Sequence, residues 1–181
     1  MHIKNLVYGG VLMMGTVVLN IVMAASPPSM SVRYSGSLVA EPCTILPEDE
    51  SIAVDFGTVI DKYLYLNNRT LSKPFQLHLI DCDTELGKSV KMTFSGAESI
   101  TLPGLLALEA GSDARGVAIG LETRGGKSLP FNQQSPGQEI TDGNNTIILQ
   151  AYVQSEPDAL RDKSIRRGAF TAVAIFALEY E

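Results

Sequence analysis

GAFTAVAIFALEYE, residues 168–181, is the stretch on which the reading of this chain turns. Phe170, Ala172, Ala174, Phe176, Leu178 and Tyr180 fall at every second position, the spacing that aims strand side chains at one face. Val173, Ile175 and Ala177 make the middle of the opposite face apolar as well. Left at a bare edge, such a strand would template aggregation through its unpaired backbone groups. The sequence stops at Glu181, so the expected partner comes from earlier in the chain or from another molecule.

Working back from that strand, further apolar runs alternate with period two. SIAVDFG (51–57) spaces Ile52, Val54 and Phe56, and PFQLHLIDC (74–82) spaces Phe75, Leu77 and Leu79. SVKMTFSG (89–96) sets Val90, Met92 and Phe94 on one face, and GVAIGLETR (116–124) and TIILQAYVQ (146–154) follow. Gly and Pro punctuate the gaps, and only PDALRDK (157–163), opened by Pro157, reads as a helical turn. The pattern predicts an all-β sandwich. Six candidate strands lie between Cys43 and Glu181, one fewer than the seven of an immunoglobulin-like domain. A sandwich short of one strand exposes a groove along its core.

SVRYSGSLVAEPC (31–43) supplies a candidate for the missing piece, with Val32, Tyr34, Gly36, Leu38 and Ala40 at alternate positions. With this run, the Pro42–Cys43 pair, Gly168 fourteenth from the C-terminus and the penultimate Tyr180, the chain resembles the chaperone–usher pilins. EPDALRDKS (156–164) and LPGLLALEAG (102–111) resemble the P-pilus tip adaptor in particular. The resemblance implies an incomplete immunoglobulin-like sandwich that lacks its last strand and is completed by donor-strand complementation, a recognised form of strand addition. It divides the chain into a signal peptide (1–25), a donor-strand extension (26–41) and a pilin domain (42–181). Val32, Tyr34, Gly36, Leu38 and Ala40 would be donated to a neighbour's groove. Gly168, Phe170, Ala172, Phe176, Leu178, Tyr180 and Glu181 would border the chain's own groove, where a periplasmic chaperone binds before assembly. The implied partners are that chaperone, an outer-membrane usher and neighbouring pilus subunits. The implied function is a minor adaptor subunit of the fibre, with a rod subunit or a chain terminator as the alternatives.

Residues 1–25 read independently as a secretory signal, with Lys4 as the positive end, an apolar run and small residues before a cleavage point at Ala24 or Ala25. Asn20 interrupts that run, which is shorter than a membrane span needs. The net charge is −6 for the whole chain and −7 without this leader, whose one charge is Lys4. An acidic chain is poorly matched to the phosphates of nucleic acid. Cys43 and Cys82 are the only cysteines, and in an exported protein the pair reads as a disulfide, with two buried thiols as the alternative. The resemblance places this pair across the first two strands.

Candidate chemistry is sparse. His78 is the one histidine outside the leader, and its place in an alternating run makes it a surface-facing strand residue. GGKS (125–128) reads as a hairpin turn, because the first glycine of a phosphate-binding loop would fall at Leu121. EDE (48–50) and DCDTE (81–85) read as solvated loop carboxylates rather than a cation site. No catalytic residue, metal ligand or cofactor is expected. A lectin-like adhesin and a secreted enzyme on a sandwich scaffold are the competing readings.

Overall fold

The computed structural model describes residues 30–181; the expected signal peptide and the first residues of the expected extension lie outside them. Seven strands form two antiparallel sheets: β1 (Thr44–Ile45), β2 (Lys73–Cys82), β3 (Ser89–Gly96), β4 (Val117–Thr123), β5 (Gln138–Glu139), β6 (Gly143–Ser155) and β7 (Ala174–Tyr180). One sheet runs β1-β2-β6-β4 and the other β5-β3-β7. Two short α-helices, α1 (Asp61–Asn67) and α2 (Pro157–Arg161), and a 3-10 turn at Pro47–Glu50 complete the order. None of the described helices is long and apolar enough to cross a membrane.

The period-two pattern decides which faces meet. Leu77 and Leu79 of β2 are buried while Gln76 stays exposed, and they pair in register with Ile147 and Asn145 of β6. Val90, Met92 and Phe94 turn inward from β3 against Leu121, Ile147 and Leu149 of the facing sheet. The ten-residue β2 and thirteen-residue β6 carry the longest ladder, with one register shift between Leu79 and Cys82. β4 would be an edge strand. It is instead capped on its free side by residues 105–107 and 128–129, through Leu106–Ile119 and Leu129–Leu121 backbone hydrogen bonds of 2.8–2.9 Å. The GGKS turn is the hairpin that brings Leu129 back.

The Cys43–Cys82 disulfide joins the start of β1 to the end of β2, with Cα atoms 4.1 Å apart. Closing a loop of this length stabilises a domain by about 4 kcal/mol in the chain-entropy model. α2 begins with Pro157 in its first turn, where the missing N–H is no loss.

Several sequence expectations differ from the structure. Residues 51–57 are extended but join no ladder among the described residues; Ile52, Val54 and Phe56 still alternate inward. Residues 31–40 likewise form no strand, and Val32, Tyr34 and Leu38 are exposed. Both segments have strand pattern without a strand partner. α1 was not expected, since DKYLYLN buries only Leu64 and has no side-chain cap to announce it. The two-residue β1 and β5 are too short for periodicity to register.

His78 and the 48–50 carboxylates also need correction. Asp49 is buried, not solvated, and its Oδ2 accepts from the His78 backbone N–H at 2.6 Å and from Nδ1 at 2.8 Å. His78 is therefore half-buried and pinned to the turn at Pro47–Glu50.

Candidate functional site: an open edge of the sandwich

β7 pairs with β3 along its whole length, from Ala174 opposite Gly96 to Tyr180 opposite Val90. Its other side carries no partner strand among the described residues. Segment 51–60, which joins no strand either, packs on the same core, and its Phe56 meets Phe170 just before β7. Ile52, Val54 and Phe56 from one side and Phe170, Ala172, Phe176, Leu178 and Tyr180 from the other all pack on the main core yet remain only partly buried. Deeper residues such as Leu79, Val90 and Phe131 are almost fully excluded from solvent. Eight of the eleven partly buried residues on the main core thus belong to these two walls; Ile45, Phe75 and Leu108 are the others.

Each wall is held in place at one end. Phe56 and Phe170 meet with ring centroids 6.2 Å apart. Next to them Arg167 donates through Nε and Nη2 to Asp61 Oδ2 at 2.9 and 2.7 Å, and the Ile165 N–H donates to the Tyr65 hydroxyl at 3.1 Å. The guanidinium hydrogen bond holds the Asp61 carboxyl below its ordinary range. At the far end the Glu181 carbonyl oxygen accepts from the Ser89 N–H at 3.0 Å, and the Glu181 side chain pairs with Lys91. Burial pushes the Tyr180 phenol above its usual value.

Gly168 starts the C-terminal wall where the chain passes over residues 113–114. Its φ is +151°, and a Cβ there would lie 2.3 Å from the Asp113 Cβ. The same turn lets the Asp113 and Ala114 N–H groups both donate to the Ala169 carbonyl. A side chain at this position would push the wall off its seat. Gly36, by contrast, has nothing within 4 Å in the single chain.

The structure brings Phe170, Ala172, Phe176, Leu178 and Tyr180 to one edge, with Gly168 and Glu181 at its two ends. Sequence reasoning missed the opposite wall as a site: Ile52, Val54 and Phe56 were read as an ordinary strand. Their alternation was the available signal, but it does not say which neighbour is missing.

A strand whose backbone is free on one side, facing a segment that is also unpaired, with apolar side chains between them, can accept one more strand. The model of the fimbrial protein family matches residues 32–181. This chain is a fimbrial protein. The Major MR/P fimbria protein of Proteus mirabilis is 34% identical over 92% of this chain and 92% of its own length. The Fimbrial adapter PapK of Escherichia coli is 32% identical over 82% of this chain and 86% of its own length. A solved chaperone–usher pilus, studied for rod uncoiling, has 25% identity and a TM-score of 0.67 over 87% of this chain and 100% of that one. The P pilus rod subunit PapA shares the fold, with a TM-score of 0.67 over 78% of this chain and all of its own. The fold is therefore the incomplete immunoglobulin-like sandwich of pilus subunits. The fimbrial relatives are structural subunits of surface fibres of Gram-negative bacteria, not enzymes, and this fimbrial protein is a subunit of such a fibre.

Proposed function

We propose that this fimbrial protein polymerises by strand exchange: the edge between residues 51–60 and β7 receives a neighbour's N-terminal segment, and residues 31–40 are given to the next subunit in turn. The observation that carries this reading is the pair of unpaired, inward-alternating walls along one side of the core. Val32, Tyr34, Leu38 and Ala40 would fill successive positions between the walls, and Gly36 would pass where no side chain fits. Before assembly a periplasmic chaperone occupies the same edge and grips the Tyr180–Glu181 end, and an outer-membrane usher threads the growing fibre. The extension and domain boundaries given above, 26–41 and 42–181, follow from this reading. The rank we favour is a minor adaptor between tip and rod, supported by the stretches 102–111 and 156–164 and by the match to an adapter subunit. The 34% match to a major fimbrial protein supports a rod rank instead. About one copy per purified fibre fits the adaptor, and hundreds fit the rod.

The exchange itself is tested with the chaperone-bound subunit and a peptide of residues 26–42. The native peptide should displace the chaperone. A peptide with Gly36→Arg should not, because forcing bulk into a closed site costs about 1–3 kcal/mol or more. Equal displacement by the two peptides would contradict the role given to residues 31–40.

A further inference from the structure

We propose that the α1 end of the domain docks the body of the subunit whose segment fills the groove, and that the matching surface is the acidic end seen on this chain at residues 81–87. The inference rests on the strand-exchange reading and, within it, on the rod rank that the 34% match to a major fimbrial protein supports, in which the next body is a second copy of this chain.

The α1 end is apolar where it need not be. Leu66 and Leu71 are 83% and 80% exposed, and Ile60 is 59% exposed. Ile60 and Leu71 line a shallow hollow of about 280 Å³ with Phe56, Val59 and Tyr63, and Leu66 stands on the same helix as Tyr63. Phe56 belongs also to the groove wall, so the patch continues the groove rather than standing apart from it. Around it Lys62, Lys163 and Arg166 enter no ion pair among the described residues.

The opposite end has the complementary character. The Asp83 N–H donates to the Pro42 carbonyl at 2.8 Å, and the Thr84 N–H donates to Asp142 Oδ1 at 2.8 Å, which fixes the turn at 83–87 beside the start of the domain. Leu86 stands 53% exposed on that turn. Asp81, Asp83, Glu85 and Asp142 surround it without a cationic partner among the described residues.

Strand direction brings these two ends together. Every pair in both sheets is antiparallel, and an added strand that continues this pattern runs antiparallel to β7. β7 runs from the Arg167–Asp61 end to the Gly87 end, where Gly87 lies against Tyr180 and Glu181. The inserted segment therefore has its Ala40 at the α1 end of the acceptor. Glu41 and Pro42 alone then separate it from Cys43 of the donor body, a reach of roughly 7 Å per pair of residues. The donor's Leu86 and its acidic ring must lie against the acceptor's Leu66, Leu71 and unpaired cations.

The test compares two donors on one chaperone-bound acceptor, parent or Leu66→Glu/Leu71→Glu: the 26–42 peptide, which has no body, and an intact second copy. The peptide should exchange at the same rate with both acceptors. The intact copy should join the variant about tenfold more slowly, equivalent to about 1.4 kcal/mol of lost contact. A donor carrying Asp83→Lys and Glu85→Lys should recover most of that loss on the variant. If the variant itself loses peptide exchange, an acceptor with Lys163→Glu and Arg166→Glu carries the same comparison with the apolar surface intact. Equal rates for the intact copy on parent and variant, or no joining at all where the peptide succeeds, overturn the docking surface. Failure of the peptide on the parent acceptor overturns the strand-exchange reading, and the docking surface with it.

Discussion

At the scale of single residues, the most deeply buried carboxylate among the described residues of this fimbrial protein must be satisfied where it sits. Glu122 on β4 is buried, and it accepts from Arg69 Nη1 at 2.9 Å, from Nη2 at 3.2 Å and from the Ser72 hydroxyl at 2.5 Å. The same guanidinium lies 4.1 Å over the Tyr152 ring, which in turn occupies the space a side chain at Gly120 would need. Burial alone would raise the Glu122 pKa, but the Arg69 and Ser72 hydrogen bonds outweigh it and hold the carboxyl below its ordinary 4.5. A folded-state pKa below the unfolded one means stability that is present above about 4.5 and lost as pH falls through the folded value. Glu122→Gln should therefore lower stability by about 1–2 kcal/mol at pH 7, a charge-assisted hydrogen-bond value discounted because the Arg69 side chain is 41% exposed. The gap between parent and variant in urea midpoints should narrow at pH 3.5; a gap that stays constant from pH 7 to pH 3.5 would remove the electrostatic account. None of this was legible in the sequence, where Glu122 is one carboxylate in an apolar run and its partners lie 50 and 53 positions away.

At the scale of elements, what the sequence revealed depended on whether an element carries its own pattern. β2, β3, β7 and the first part of β6 turn alternate side chains inward, and period two located them; β4, buried at six of its seven residues, stood out instead as an apolar run between turn residues. α1 has seven residues and one buried side chain, so no helical period could declare it. Residues 51–57 have the strand pattern and no strand, because a ladder needs a neighbour and pattern reports only the face. The groove walls were half-legible for this reason: β7 stood out through its two apolar faces, while its counterpart looked ordinary. The disulfide belongs to this scale too, since it ties β1, only two residues long, to β2. Replacing Cys43 and Cys82 with Ser should destabilise the subunit by about 4 kcal/mol on the chain-entropy estimate and lower its periplasmic yield, more so at higher temperature. Two alkylatable thiols in the untreated protein would contradict the bond.

At the scale of the whole molecule, the chain is a sandwich with one side of its core left for another strand, and two ends of opposite character. The acidic turn at 81–87 and the cationic, apolar surface around α1 lie at opposite ends of β6, whose thirteen residues span roughly 40 Å. A body of this kind is suited to a fibre in which each subunit finishes the fold of the last, and neither half of that arrangement is visible from a single domain's stability. The central claim is that the edge between residues 51–60 and β7 is a strand-binding site. Amide hydrogen exchange of the subunit with and without the 26–42 peptide tests it most directly. The account predicts that the peptide slows exchange by about a hundredfold or more, as a new ladder protects backbone N–H groups, at residues 52–56 and 174–180 together. Protection confined to some other surface, or exchange unchanged at both walls while the peptide is bound, would contradict it.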